Sequence, residues 1–349
     1  MSEFQISGRS VGAGHRTYII AEISANHGQD FNQAAKIVEA AHAAGADAVK
    51  LQTYTADTLT LDCASEPFQV GQGTIWAGRT LYDIYREAST PWDWQPKLQR
   101  LAHDLGLELF STPFDPTAVD FLEEMQVPAY KIASLELVDI PLIEKVARTG
   151  KPIIMSTGTA TLAEIDEAVR AARGAGDGGV ALLKCTSAYP ASPEDMNLRT
   201  ISHLAASFGV PAGLSDHTLG VAVPVAAVAL GACIIEKHIT LSRELVGPDS
   251  SFSLEPHEFK EMVAAIRVAE KAVGEVCYEA TSKERVIRGY HRSLFVVTEM
   301  RAGDAFTADN VRSIRPGDGL PPKVLPTVLG RRATRDIARG TPLDWALIG

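Results

Sequence analysis

Acids, bases and hydroxyls recur at the ends of short apolar runs along this chain. In order they are Glu22, Lys50 with Gln52, Ser111 with Thr112, Lys131 with Ser134, Ser156, Lys184 with Ser187 and Tyr189, Ser215 to His217, and Glu236 to His238. An unpaired buried charge costs several kcal/mol, so a polar group closing every run needs a reason. Lys50 and Lys131 as point charges, with Thr112, Ser134 and Ser156 as hydroxyl donors, suit a phosphate or a carboxylate. Pairing of each lysine with a neighbouring acid is the structural alternative. His217 and His238 close adjacent runs at equivalent positions, where two imidazoles could share one metal ion with Glu22 across the mouth. Mixed nitrogen and oxygen ligation suits Mn, Co, Zn or Fe better than Ca. Asp249, followed by two serines, could meet sugar hydroxyls; a solvated turn explains it equally well.

These groups need elements to hold them. Apolar, β-branched runs predict strands over 17–23, 46–54, 108–114, 129–134, 152–158, 180–189, 210–218 and 232–241. Helical periodicity predicts helices over 32–44, 93–105, 116–125, 142–149, 162–173, 195–208, 221–230 and 256–273. Asn32 is expected to cap the first helix, Pro116 to sit in a first turn and Ser192-Pro193 to open another. Gly45, Gly150 and Gly209 are expected just past helix ends. Eight strands alternating with eight helices is the count of an α/β (β/α)8 TIM barrel, whose strand C-termini point into the active site. The competing open doubly wound sheet usually has fewer strands, and no GxGxxG follows the first run.

The barrel is expected over 1–274, with a long insertion at 59–91 in the position of a lid or substrate-binding element. Residues 275–291 are charged and read as a linker. Residues 292–349 hold short strand-like pieces broken by Gly and Pro, a small second domain with little core of its own.

Composition sets the outer bounds. The 349 residues are 46% hydrophobic and 22% charged, ordinary for a globular protein. Lys and Arg number 33 against 43 Asp and Glu, a net charge of -10, with no basic run. Non-specific nucleic-acid binding and a polybasic membrane anchor are therefore not expected. Cys63, Cys185, Cys233 and Cys277 show no CxxC or zinc spacing and read as small buried thiols. With no signal peptide and no apolar stretch longer than 221–229, the expected location is the cytoplasm.

The ordered motifs resemble the sialic acid synthase family. They are AEISANHGQD (21–30), VKLQTYTADTLTL (49–61), STPFD (111–115), YKIASLELVDIPLI (130–143), MSTGTAT (155–161), KCTSAYPASPEDMNL (184–198), GLSDHTLG (213–220) and EKHITL followed by GPDSSFSLEP (236–256). The tail RSLFVVTEMRAGDAFTADNVRSIRPGDGLPP is similar to the family's antifreeze-like (SAF) domain. Within the family the chain is most similar to the pseudaminic branch. SANH, QTYT, KIASLE, CTSAYP and the insertion carry that likeness, as does Ser187 where neuraminate synthases more often have Asn. The GPD at 247–249 resembles the neuraminate pattern instead.

The resemblance implies an enzyme that condenses phosphoenolpyruvate with an open-chain amino sugar, giving a nine-carbon 2-keto acid and inorganic phosphate. The implied acceptor is 2,4-diacetamido-2,4,6-trideoxy-L-altrose, with the N-acetylneuraminate and legionaminate precursors as alternatives. By the same resemblance Lys50, Gln52, Thr112, Lys131, Ser134, Ser156, Ser187 and Ser215 would hold phosphoenolpyruvate. His217 and His238 would ligate a divalent metal (Mn, Mg or Co), and Glu22 would be the acid/base. Tyr189 and Asp249 would face the sugar, and Arg315 would reach the sugar of the other subunit in a homodimer capped by the C-terminal domain.

The residue types suit that chemistry. The enol carbon must attack an aldehyde, whose oxygen a Lewis acid polarises. Water must then reach the oxocarbenium-like carbon, and a carboxylate must handle the protons. Two other readings stay open: an aldolase forming a Schiff base on Lys131 or Lys184, and a glycan-binding protein without catalysis.

Overall fold

The computed structural model describes residues 3–71, 76–245 and 247–349. The chain forms two compact units, Met1–Gly274 and Glu275–Gly349.

The first unit begins with a hairpin that the sequence reading left out, β1 (Glu3–Ile6) and β2 (Arg9–Gly12). Ser7 and Gly8 both take positive φ in its two-residue turn, the geometry that matches strand twist. Phe4, Ile6 and Val11 are buried. Phe4 lies so close to Gly179 that a Cβ there would meet it at 3.1 Å. The hairpin therefore packs at the end of the barrel where strands begin, away from the candidate site.

Eight parallel strands then close a barrel: β3 (Tyr18–Glu22), β4 (Ala48–Thr53), β5 (Glu108–Pro113), β6 (Tyr130–Ile132), β7 (Ile153–Ser156), β8 (Val180–Cys185), β9 (Ala212–Asp216) and β10 (Ile234–His238). The closure pairs β10 with β3, and Glu22 stands in register with His238 on one side and Lys50 on the other. Every strand is shorter than its apolar run, because the polar residues after each run leave the ladder to form the mouth.

Helices wrap the barrel: α1 (Phe31–Ala44), α2 (Ala56–Leu59), α3 (Leu81–Ala88), α4 (Gln95–Asp104), α5 (Pro116–Glu124), α6 (Ile140–Ala147), α7 (Leu162–Ala175), α8 (Thr200–Phe208), α9 (Ala222–Ala229) and α10 (Pro256–Val273). Their starts follow capping chemistry. Asp115 accepts from Thr117 and Ala118 ahead of α5, and Thr161 with Glu164 makes a capping box for α7. Two local expectations are corrected. Asp30, not Asn32, caps α1, because its carboxylate accepts the Asn32 N–H. Ser192-Pro193 opens only the short turn Pro193–Asp195, and α8 starts later, at Thr200.

The insertion is not a plain loop. It follows directly on α2 and holds a 3-10 turn at Glu66–Phe68 and α3, with Gln69 and Thr80 bridged as a short antiparallel pair. The part of its motif at 72–75 lies outside the described residues.

The second unit begins with α11 (Ser282–Arg288), capped by Thr281 and Glu284 inside the stretch read as a linker. It then pairs β11 (Ser293–Val296) with β12 (Val311–Ile314) and adds α12 (Leu325–Val328). Its core is small and contiguous: Leu294, Val296, Phe306, Val311, Val328 and Leu343 are all nearly inaccessible. Among the described residues no helix is long and apolar enough to cross a membrane. All four cysteines are free, but only Cys185 and Cys233 are buried; Cys63 is half-buried and Cys277 exposed, so the expectation of four buried thiols fails.

Candidate functional site

Side chains alternate across a strand, so residues two apart share a face. In β10 that puts Glu236 and His238 on the lumen side, and in β9 it puts Ser215 and His217 there. Asp216 and Lys237 face the helix layer instead. The sequence places three of these residues at each of two strand ends, and the pleat divides each set between the two faces.

Glu236 is the centre of the lumen. Its Oε1 lies 3.3 Å from Lys50 Nζ and 3.9 Å from Lys131 Nζ, and it accepts from Ser215 Oγ at 3.1 Å. Lys50 reaches Glu22 at 3.0 Å and donates to Thr112 Oγ1 at 3.2 Å. Lys131 donates to Ser156 Oγ at 2.7 Å and to the Ile132 carbonyl at 2.9 Å. Both acids, both lysines, Thr112, Ser156 and Ser215 are buried. The two proposed anion lysines therefore do sit together, but with acids between them. Glu236 had been noted at a strand end without a role; its i, i+2 relation to His238 was the available signal.

Burial sets the titration. It pushes the Glu22 carboxyl up to about 7, against the pull of Lys50 and with the repulsion of Glu236. It also brings Lys131 down to about 8, although Glu236 opposes the shift. Glu236 itself is lowered, since Lys131 and Lys50 outweigh the cost of burying it. Near neutral pH the lumen thus holds two cations, one firm anion and one acid poised to give or take a proton. Glu136 joins them as a residue missed in the sequence. Sitting just after Ser134 in a 3-10 turn, it is pushed up to about 7 by burial despite the field of Lys131, and its Oε2 is buried without a hydrogen-bond partner.

Beside the lysines is a cradle made by a glycine. A Cβ on Gly158 would stand 2.3 Å from Ser187 Oγ, 2.7 Å from Ser134 Oγ and 3.2 Å from Cys185 Sγ. Only glycine lets those hydroxyls converge, and the Gly158 N–H donates to Ser134 Oγ at 3.1 Å. The backbone N–H and two hydroxyls suit an anion's oxygens. Gln52 is half-buried at the end of β4. Lys184 is turned the other way from Cys185, donating to the Cys185 carbonyl at 2.6 Å and to Thr186 Oγ1 at 3.0 Å.

His217 and His238 come together, with ring centroids 5.3 Å apart. His217 Nδ1 lies 3.0 Å from the Thr186 carbonyl, which fixes Nδ1 as a donor and leaves Nε2 as the ligating atom. His238 is buried and held well below the usual imidazole range, by desolvation first and then by the charges of His217, Lys50 and Lys237. Its Nδ1 has no hydrogen-bond partner. A neutral imidazole with an orphaned nitrogen beside a tethered second imidazole fits a divalent cation. Glu22 does not complete the set: among the described residues no group of three or more His, Cys, Asp or Glu could hold a metal. Cys185, 3.9 Å from His217 Nδ1, is pushed up by burial but brought down to about 7 by His217, Ser134 and Lys131.

An aromatic wall stands over the imidazoles. Tyr189 packs on His217 at 4.6 Å between centroids and on Phe252 at 5.1 Å, and Phe252 packs on His238 at 5.0 Å. Trp76 of the insertion meets Tyr189 at 5.6 Å, so the insertion does reach the mouth. Asp249 is buried, and its Oδ2 accepts from Ser24 Oγ at 2.5 Å and from the Ala25 N–H at 3.2 Å. It thereby fastens the loop after β3 to the loop after β10. Arg315 belongs to the second unit, directly after β12.

With this geometry in view, similarity to known proteins becomes informative. The family model described as the NeuB family matches residues 37–278, and that of the SAF domain matches residues 291–348. A pseudaminic acid synthase from Helicobacter pylori is 45% identical over 93% of this chain and 96% of its own. One from Campylobacter jejuni is 42% identical over 94% and 95%. A solved structure of the spore coat polysaccharide biosynthesis protein SpsE from Bacillus subtilis superimposes with a TM-score of 0.68 at 34% identity, covering 100% of this chain and 99% of that one.

Proposed function

The chain belongs to the NeuB family and carries a SAF domain, and from that premise we propose that it condenses phosphoenolpyruvate with the open-chain form of an amino sugar. It is a transferase of the sialic acid synthase type. The identity to two pseudaminic acid synthases supports that branch, with 2,4-diacetamido-2,4,6-trideoxy-L-altrose as acceptor. The precursors of N-acetylneuraminate and legionaminate are the competing sugars. The observation that carries the reading is the buried lumen in which Lys50 and Lys131 flank Glu236, beside two paired imidazoles.

Phosphoenolpyruvate brings a phosphate and a carboxylate, and Lys50 and Lys131 are the cations to meet them. Thr112, Ser156 and Ser215 line the same surface, while Ser134, Ser187 and the Gly158 N–H form the adjoining cradle. Gln52 completes the binding set. Holding the substrate there presents its enol carbon to an aldehyde lying under Tyr189 and near Asp249. The new bond joins that carbon to the aldehyde carbon, and the aldehyde oxygen takes a proton. Water adds to the neighbouring carbon, the one that carries the phosphate oxygen and has become oxocarbenium-like, giving a hemiketal phosphate that expels inorganic phosphate. Glu22, with its carboxyl raised to about 7, is placed to exchange those protons without leaving the lumen. His217 and His238 are the residues that would hold a divalent cation, Mn, Mg or Co, which when bound polarises the aldehyde oxygen. A pair of imidazoles favours Mn or Co over Mg.

The same proposal places the enzyme in the cytoplasm as a homodimer, with the C-terminal domain of one subunit over the barrel of the other. Arg315 there would contact the acceptor's N-acetyl group. Phosphate release from phosphoenolpyruvate, measured with the three candidate sugars, tests the reading. Release with the altro sugar well above the others is expected; release with none of them refutes it.

A further inference from the structure

The two residues that the pleat turns away from the site form a buried structure of their own. Lys237 and Asp216 have no side-chain exposure, stand in register on β10 and β9, and pair at 2.5 Å. The pair does not end there. Asp216 Oδ1 accepts from the Thr218 N–H at 3.0 Å and from Thr218 Oγ1 at 2.9 Å. Lys237 Nζ also donates to the Thr218 carbonyl. Thr218, fully buried, is thus gripped at its N–H, its hydroxyl and its carbonyl by two charges on neighbouring strands.

What the grip encloses is His217. It is the single residue between Asp216 and Thr218, and its own carbonyl accepts from the Ala191 N–H at 3.0 Å. The cation in the grip is the residue immediately before His238. One ion pair therefore spans the two strands that carry the imidazoles, and its ends are each one residue from a ring. A buried ion pair is poor evidence of stability, since well-packed apolar residues often do as well. Its best-attested use is to fix a register or arrangement. Here the arrangement is that of two rings whose centroids are 5.3 Å apart.

We propose that Asp216, Lys237 and Thr218 are positioning residues that set the spacing and aim of His217 and His238 for a divalent cation. They touch neither substrate nor cation; they act through the backbone of the two histidines. The inference rests on the two-histidine reading given above. It goes further by assigning function to a buried charge pair behind the site.

The test uses the full-length protein and Mn2+ alone, titrated while free Mn2+ is followed by its electron paramagnetic resonance signal. Lys237→Met and Thr218→Val are compared with the wild type and with His217→Ala. Groups that orient metal ligands typically contribute 10–100-fold to affinity. A loss of about that size is expected in Lys237→Met, with a smaller loss, about threefold to tenfold, in Thr218→Val, which keeps the ion pair. The phosphoenolpyruvate dissociation constant of Lys237→Met and of Thr218→Val should stay within about threefold, since neither residue faces the lumen. Mn2+ affinity equal to wild type in folded Lys237→Met overturns the inference. If that variant does not fold, unchanged affinity in Thr218→Val overturns it. Wild-type protein that takes up no Mn2+, or takes it up equally after His217→Ala, overturns the two-histidine reading and this inference with it.

Discussion

Replacing Lys131 by Arg should abolish an alkaline limb in the affinity for phosphoenolpyruvate. Lys131 is buried and its ammonium is brought down to about 8, chiefly by desolvation. Since the charged form is the weaker one here, the cation is lost as pH rises through that value. At pH 7 about nine tenths of the enzyme carries the charge and at pH 9 about one tenth, from a pKa near 8. If only the charged form binds the anion, KM for phosphoenolpyruvate rises about tenfold between those two values. The substrate's own phosphate, with a second pKa near 6, is already about nine tenths ionised at pH 7, so its opposing change is small beside the tenfold one. Arginine keeps its charge at any accessible pH. Lys131→Arg should therefore bind more weakly at pH 7, because its fork cannot copy the Ser156 contact, yet show no further loss by pH 9. Initial rates at saturating sugar, measured from pH 6.5 to 9.5, read both curves. A wild-type KM that is flat across that range, or a limb near pH 8 that persists in Lys131→Arg, refutes the reasoning.

Other outcomes follow from the same geometry. Glu236→Gln removes the strongest influence holding the Lys131 charge in place, so the alkaline limb should move below 8; a limb that stays or moves up contradicts the assignment. Gly158→Ala forces a Cβ to 2.3 Å from Ser187 Oγ, and overpacking of that kind costs about 1–3 kcal/mol of folding stability; the unfolding midpoint should fall by a few degrees and KM for phosphoenolpyruvate should rise at least about fivefold, and an unchanged KM would dismiss the cradle. Glu22→Gln should keep phosphoenolpyruvate binding in calorimetry while phosphate release stops, and near-normal turnover would remove Glu22 from the proton steps. Arg315→Ala should raise the sugar KM and leave that of phosphoenolpyruvate alone; no change in either would dismiss the cross-subunit contact.

The barrel was legible because each of its strands carries its own signal, an apolar run closed by polar residues. The helix over Pro256–Val273 was read to its ends because Pro at its start and Gly274 after it are strong local punctuation. The hairpin of β1 and β2 was not, since its strands have four residues each, too few for a period to show. The site was legible as a set of residue types but not as a set of contacts. Period-2 alternation within 215–217 and 236–238 was available in the sequence and separates lumen residues from helix-facing ones. That Glu236 would stand between Lys50 and Lys131 was not available, because it depends on how β10 closes against β3. The need for glycine at 158 was equally hidden. It arises from side chains on the loops after β6 and β8, which are far apart in the chain.

So acidic a chain must still admit an anionic substrate. The total of -10 is a sum over the whole chain, and dissolved salt at about 0.1 M largely screens exposed charges more than about 10 Å away. Inside the lumen the sum is different. Lys50 and Lys131 contribute two positive charges and Glu236 one negative; Glu22, at about 7, is half-protonated near neutrality. The site is therefore close to neutral or positive when empty, and buried charges there are screened little. An arriving anion raises the Glu22 carboxyl further and draws the proton on, which moves the local sum by up to about half a unit in the anion's favour. Protonation of Glu22, the acid proposed for the later proton steps, would thus also lessen the repulsion that its own carboxylate exerts on phosphoenolpyruvate. It follows that phosphoenolpyruvate binding should take up a fraction of a proton near pH 7, seen as a heat that varies with buffer ionisation enthalpy, and that Glu22→Gln should lose that uptake. Equal uptake in the variant would separate the two roles and leave Glu22 with the proton steps alone.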